Sequence, residues 1–438
     1  MSNDVKKKGL ATVSTVSSMM KSQCVLVEIN GAIKRITLDN LITSINDGDT
    51  QMLRSVAWGV PIKQTQSSPD WGRVGNTDLW EAYKSQCGCY LLTNDGKAAK
   101  LSVTNRGVYA DGTTLDESKG NIVWIGPRLY YRVEVDAVTN IPYLWMSEMP
   151  ISNHYIGGAD HGNYNVIGCY MGSFDANNKL RSVSGATVKA SITISAFWAA
   201  AQLNGQDFGL VDYDLRKLMI MMNLAEYGNP NVQENIGYGP TGDGNTWDNV
   251  KNMLTGATKG LGDECGVVDI SSAAGNNKAC HVSFFGIENP YGWYWEMMQG
   301  IYFGNSGNAG QNGTEVFLYK GNHLPSAAEL SSVPNGDFRQ LTRPTSSNWL
   351  AEVVLGEYFD FIAKTVSSAG GSNSRWCDYS YNNDTGQLGL VGAAAYDGTY
   401  AGLGYVRSNR AWSVADAASG SRLAYYGPLT FVDGREIA

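Results

Sequence analysis

The sequence predicts an α+β fold in which two helices stand apart in the chain from many short strands. Three observations lead there. Residues 195–204, closed by Gly205, and 212–227, closed by Gly228, each combine a capping residue, apolar helical spacing and a C-terminal glycine. Runs such as Cys89-Tyr90-Leu91-Leu92 and Ile122-Val123-Trp124-Ile125 are bounded by Gly, Asn and Asp, the punctuation of strands and turns. From Gly237 onward glycine, asparagine and serine dominate, broken by short aromatic strands and by no helix of comparable strength.

Taken in order, the first 55 residues read as a small module. Cys24-Val25-Leu26-Val27-Glu28-Ile29 is strand-like, Asn30-Gly31 is a two-residue hairpin turn, and Ala32-Ile33-Lys34-Arg35-Ile36 returns as a second strand. Thr37 then caps a short helix that carries Leu38, Leu41, Ile42 and Ile45 on one face before Asp47-Gly48 ends it. A hairpin and a short helix bury too little to stand alone. The stripe is therefore expected to self-associate or to dock on another protein, with packing on the rest of the same chain as the alternative. Residues 56–129 read as a mixed or all-β spacer, and 130–438 as a recognition domain containing both long helices. In the second helix Leu215, Leu218, Met219 and Met222 form the expected buried face.

Composition narrows the function. A chain of 438 residues suffices for two or three domains, and 24 Tyr, 12 Trp and 51 Gly with only 17% charged residues describe an ordered, loop-rich protein. A net charge of −8 offers no basic face, so nucleic acid is not an expected partner. Lys6-Lys7-Lys8 is followed by no apolar run of signal-peptide length, and no stretch reaches the roughly 18–20 apolar residues of a membrane span. The chain is expected to be made in a cytosol and neither exported by that route nor inserted. Seven cysteines, with Cys87-Gly88-Cys89 the only close pair, lack zinc-site spacing and are read as buried thiols. His154, His161, His281 and His323 are scattered. No metal or cofactor is expected.

Two resemblances add to this reading. The segment from Val25-Leu26-Val27-Glu28-Ile29-Asn30-Gly31 to Lys34-Arg35-Ile36-Thr37-Leu38-Asp39-Asn40-Leu41 resembles the attachment module at the start of many bacteriophage fibre and spike proteins. From about residue 130 to 426 the chain is similar to C-type-lectin-fold proteins of the kind diversified by retroelements in phages of gut bacteria. The similarity rests on Met222-Asn223-Leu224-Ala225-Glu226-Tyr227-Gly228-Asn229-Pro230-Asn231-Val232-Gln233 with Ile236-Gly237-Tyr238-Gly239, on Gly286-Ile287-Glu288-Asn289-Pro290-Tyr291-Gly292-Trp293-Tyr294-Trp295-Glu296, and on three closing segments. These are Trp376-Cys377-Asp378-Tyr379, Leu390-Val391-Gly392-Ala393-Ala394 and Gly420-Ser421-Arg422-Leu423-Ala424. The resemblance implies a C-type-lectin-like C-terminal domain and a homotrimeric virion fibre. Such a fibre would join other virion proteins through its N-terminus and bind a glycan or protein of the bacterial surface at its tip. The enzyme branch of this superfamily carries reactive cysteines near its last strands, and here none follows Cys377, so formylglycine-type oxidation is not expected. The Glu-Pro-Asn or Gln-Pro-Asp and Trp-Asn-Asp pair of calcium-dependent lectins is missing as well; Asn382-Asn383-Asp384 is an echo of it.

In that family the variable face lies between the closing strands, here residues 372–412. The residues themselves agree: Asn373, Trp376, Asp378, Tyr379, Tyr381, Asn383, Tyr396, Tyr400, Tyr405, Arg407, Asn409 and Trp412 interleave rigid aromatics with short polar groups, the chemistry of binding faces. Flat rings also suit sugars. The competing reading is that several of these aromatics are core, Trp376 and Tyr379 first among them. For Trp293, Trp295 and Glu296 core packing is the expectation. Gly-x-Ser-x-Gly and Walker-type motifs are missing, and the glycine-rich residues 237–244 read as a loop. Asp263 with Glu264, and Glu357 with Asp360, are acid pairs of the kind glycan hydrolysis uses, but adjacency says nothing of their separation across a sugar ring. The expectation is a non-enzymatic phage adhesin. A structural head- or tail-decorating fibre is the alternative, and a carbohydrate-active enzyme the third reading.

Overall fold

The computed structural model describes residues 24–29, 32–37, 56–148, 156–157, 162–305, 313–319, 323–330, 338–383 and 387–437. The expected N-terminal hairpin forms: Cys24–Ile29 and Ala32–Thr37 pair antiparallel with Ile29 opposite Ala32, the register that a two-residue Asn-Gly turn imposes. The helix expected after it, with Leu38, Leu41, Ile42 and Ile45, lies outside the described residues.

From residue 56 on the architecture is mixed and β-rich, with few helices and many strands. One sheet runs, edge to edge, through Phe208–Leu210, Leu423–Tyr425, Tyr164–Gly168, Asn121–Pro127, Gly88–Leu92, Lys97–Ser102 and Thr430–Val432, with Asn105–Tyr109 paired to Lys97–Ser102 as well. Another sheet places Pro142–Ser147 between Tyr130–Val135 and Trp58–Pro61. These pairings correct the expected boundary between a spacer ending at residue 129 and a domain starting at 130, because both sheets carry strands from each side of it. Gly88–Leu92 is buried at every position, as is Asn121–Gly126. Strands with no solvent face need neighbours on both edges and cover on both faces. Gly88–Leu92 lies between Asn121–Pro127 and Lys97–Ser102, and Asn121–Pro127 has Tyr164–Gly168 on its other edge.

The helices follow local rules. Ile194–Gln202 begins one residue earlier than expected, because the Thr193 hydroxyl accepts from the Ala196 N–H at 3.2 Å and so sets the cap. Tyr213–Tyr227 starts after Asp212, whose carboxylate accepts from the Leu215 N–H at 2.9 Å. Its expected face is buried, but so are Arg216, Lys217, Ile220, Met221 and Asn223, so the helix is enclosed almost all round. Thr77–Gln86 is a helix in a stretch read as mixed or all-β, where no helix was placed. Its apolar signal consists chiefly of Trp80 and Tyr83, one turn apart, among charged residues, too short a pattern to stand out.

The long helix ends at Gly228, with φ +60° and ψ 23°. A Cβ there would lie 2.7 Å from the Gly72 carbonyl carbon, while the Gly228 carbonyl accepts from the N–H groups of Trp71 and Gly72 at 2.9 and 3.0 Å. Left-handed backbone and close approach both require glycine. Gly228→Ala is expected to destabilise the protein by about 1–3 kcal/mol, read from urea denaturation.

A second large sheet runs Phe338–Thr342, Glu315–Tyr319, Trp295–Gly304, Leu388–Val391, Val406–Arg410, Tyr379–Tyr381, Asn348–Val354 and Ile362–Ser367, with Ser419–Gly420 alongside Trp295–Gly304. All ten residues of Trp295–Gly304 are buried. Trp293, Trp295 and Glu296 are core, as expected. Of the cysteines, Cys87, Cys89, Cys169, Cys280 and Cys377 are buried and Cys265 is partly so. Burial pushes the Cys265 thiol up to about 11.

Candidate functional site

Three strands of this sheet bring part of the 372–412 window together. Tyr379–Tyr381 runs parallel to Val406–Arg410, with Tyr381 opposite Arg407, and antiparallel to Asn348–Val354, with Tyr379 opposite Trp349. Side chains alternate along a strand, so Trp349, Tyr379, Tyr381, Arg407 and Asn409 share one face. Tyr400 arrives from the turn Gly398–Tyr400 and lies 4.5 Å from Tyr379 between ring centroids, inclined by 33°. The Trp349 ring stands edge-on to both, 5.1 Å from Tyr400 and 5.9 Å from Tyr379. Tyr400 is 41% exposed, and Trp349 and Tyr379 are half-buried.

Beside this aromatic cluster the Arg407 guanidinium sits 5.2 Å from the Trp295 ring and 5.3 Å from Tyr381, and its Nε donates to Asn409 Oδ1 at 2.6 Å. Stacking and this hydrogen bond hold the cation in place while leaving it partly exposed. The result is a patch of flat rings flanked by a fixed cation and a short amide, able to stack on a ring and hydrogen-bond its edge.

Three expected site residues belong to the core instead. Trp376 stands edge-on to Trp71 at 4.7 Å and Phe361 at 4.9 Å, and its Nε1 donates to Gln64 Oε1 at 3.0 Å. Tyr405 packs edge-on against Trp295 at 4.8 Å and lies 5.8 Å from Tyr379, so it supports the patch from beneath. Asp378 is buried under Gly402 and Gly404, and its Oδ2 accepts from the Gly404 N–H at 2.6 Å. A Cβ on Gly402 would lie 1.7 Å from Asp378 Oδ1, so only glycine admits the carboxylate there. Burial pushes this acid up to about 7, against the pull of the Gly404 N–H and the Arg216 charge. These corrections share one cause: all three residues precede the strands Tyr379–Tyr381 and Val406–Arg410 in turns or loops, outside any alternating pattern, and what covers them comes from elsewhere in the chain.

The rest of the expected set is dispersed. The Tyr396 hydroxyl accepts from Trp295 Nε1 at 2.9 Å, and Trp412 rests 5.4 Å from Tyr302; both are half-buried. Asn373 is exposed, with Oδ1 accepting from Asn231 Nδ2 at 3.0 Å. Asn383 donates its backbone N–H to Ser408 Oγ at 3.2 Å. Trp349 was missed, because it lies outside the window and only the strand pairing brings it to Tyr379.

Other expectations find their places too. Asp360 pairs with Arg339 and is buried while Glu357 is exposed, so these two acids do not face each other. His281 is buried with Nδ1 2.6 Å from Asn289 Nδ2, and burial lowers its pKa. His154 and His161 lie outside the described residues. Among the described residues no group of three or more His, Cys, Asp or Glu is placed to hold a metal ion. No helix among them is long and apolar enough to cross a membrane. No family model matches the chain, and no curated protein matches it.

Proposed function

We propose that the chain is a bacteriophage fibre subunit, a non-enzymatic adhesin. In this reading residues 1–55 attach it to other virion proteins and trimerise it, and a C-type-lectin-like C-terminal part binds a glycan or protein receptor on the bacterial surface. The observation that supports it is the patch of Trp349, Tyr379 and Tyr400 with Arg407 beside it. Aromatic rings held rigid by their neighbours lose little entropy on contact, and a partly exposed cation adds direction to an otherwise flat face. Three such patches on one trimer would raise avidity without any new contact. The lectin-like reading rests on the sequence motifs; Trp295–Gly304 pairs with Leu388–Val391 and, at Trp295 and Glu296, with Ser419–Gly420, which overlap two of the closing segments.

The test is binding of the purified full chain to intact gut-type host bacteria, wild type against a Trp349→Ala/Tyr400→Ala double variant of unchanged oligomeric state and melting temperature. Loss of about tenfold or more in apparent affinity is expected, since two stacking contacts are removed. Full binding by the double variant removes the patch from the reading. If wild type binds no strain, a head- or tail-decorating role in assembly becomes the better account.

A further inference from the structure

We propose that the aromatic patch takes an acidic sugar of the uronic-acid type, with the sugar ring on Tyr400 and Trp349 and its carboxylate on the Arg407 guanidinium. This rests on the adhesin reading and names the chemistry of the receptor.

The Arg407 guanidinium is fixed by protein on some sides only. The rings of Trp295 and Tyr381 lie 5.2 and 5.3 Å away, and Nε donates to Asn409 Oδ1 at 2.6 Å. Nη1 and Nη2 hydrogen-bond no described residue, form no ion pair among them, and are not buried. A planar fork held at one nitrogen and over two rings loses little freedom on receiving both oxygens of a carboxylate. The nearby charges favour a single negative charge. Arg410 is committed to Asp416 at 2.9 Å. Asp397 lies within the field of Arg407, and its Oδ2 accepts from the Ala394 N–H at 2.9 Å. Arg407 is thus left as an uncommitted cation among the described residues of this face, and a phosphate dianion would meet one positive charge with a carboxyl nearby.

The rings stand at a matching distance. Tyr379 and Tyr381 are two positions apart on one strand face, with Trp349 opposite the first and Arg407 opposite the second. The ring cluster and the cation are therefore about 7 Å apart along the strand, a separation that one pyranose with its exocyclic carboxylate spans. Tyr400, 41% exposed and 4.5 Å from Tyr379, offers ring surface to the C–H face of the sugar. The hydroxyls of Tyr379 and Tyr381 and Nδ2 of Asn409 also hydrogen-bond no described residue and are not buried, so they are open to the sugar's hydroxyls. A neutral sugar leaves the guanidinium without a counter-charge. An aspartate or glutamate side chain leaves the rings without a flat partner.

The experiment is calorimetry and saturation-transfer NMR on the full chain with the methyl glycosides of D-glucuronic and D-galacturonic acid. Methyl D-glucoside serves as the neutral probe, and inorganic phosphate and a triglutamate peptide as the other anions. At least one uronide is expected to bind saturably at millimolar concentration, about tenfold or more tighter than the glucoside, and to weaken as salt is raised. Arg407→Gln should bring the uronide down to the affinity of the glucoside, whereas Trp349→Ala/Tyr400→Ala should weaken both sugars. Four outcomes overturn the proposal: no saturable binding of either uronide, equal binding of the glucoside, uronide binding unchanged in Arg407→Gln, or preference for phosphate or the peptide. Attachment to host cells that survives both Arg407→Gln and excess uronide also overturns it and leaves the adhesin reading standing. Uronide binding by a protein that attaches to no cell supports this site and removes the adhesin reading.

Discussion

Stability should fall as pH rises from about 4 to about 7, and Asp378→Asn should remove most of that fall. The Asp378 carboxyl is held at about 7 in the folded chain, first by burial, against an ordinary value of 3.8. Between those values the folded protein keeps a proton that the unfolded chain has released. Stability therefore decreases with pH through this window: the contribution is fully present below the unfolded value and is lost as pH passes the folded one. The difference is on the order of 4 kcal/mol. Asp397, raised by burial to about 6, acts in the same direction. His281, lowered by burial, acts in the opposite direction below its ordinary value of 6.5, and so do acids whose pKa is lowered, such as Asp116 and Asp269, but these are exposed and screening leaves them little weight. An asparagine at 378 keeps an oxygen for the Gly404 N–H and has no charge to release. The measurement is urea denaturation of both proteins from about pH 4 to 8. Parallel curves for the two would show that another group carries the dependence.

The largest loss from a single side chain is expected at Arg422. Its guanidinium is fully buried and donates to four backbone carbonyls: Nη1 to Gly168 and Cys169, each at 3.0 Å, and Nη2 to Glu288 at 2.9 Å and Asn289 at 3.3 Å. Glu296, itself buried, lies 3.6 Å from its Nε. One side chain thus ties the end of the strand Tyr164–Gly168 to residues 288–289 and to the strand Trp295–Gly304 of the other large sheet. Arg422→Met should cost about 3–5 kcal/mol, because it strands the Glu296 charge in the core and leaves carbonyls without donors. Adding Glu296→Gln should recover part of that loss, since the stranded charge is then gone. A cost below about 1 kcal/mol in chemical denaturation would mean that water or a rearranged neighbour takes over the guanidinium's role. This arginine sits within the closing segment Gly420-Ser421-Arg422-Leu423-Ala424, which sequence reading associated with a strand. The strand is Leu423–Tyr425, and the arginine before it is a clamp on the core.

How far the chain could be read depends on the range of the interaction concerned. The Asn30-Gly31 hairpin, the caps at Thr193 and Asp212, and the stop at Gly228 are decided by hydrogen bonds among residues a few positions apart, and all were legible at least to within a residue or two. The burial of Trp293 and Trp295 was legible too, from an apolar run with little polar relief. The helix Thr77–Gln86 was not, because its amphipathic signal is only two aromatic residues long.

By itself, then, the sequence determined a β-rich chain with two strongly capped helices, an N-terminal hairpin, and a C-terminal stretch rich in rigid rings and short polar groups. Tertiary structure alone decided which rings face out. Trp349 meets Tyr379 only because strands thirty residues apart pair in that register, while Trp376, Asp378 and Tyr405 face inward because Gln64, Gly404 and Trp295 cover them from elsewhere in the chain. It also decided that Gly88–Leu92, Lys97–Ser102 and Asn121–Pro127 share a sheet with Tyr164–Gly168, Phe208–Leu210, Leu423–Tyr425 and Thr430–Val432, across the expected spacer boundary. The physical reason is common to both: what pairs with or covers a residue is chain far away in sequence, so neither the alternation of a strand nor the local spacing of a loop selects the buried side.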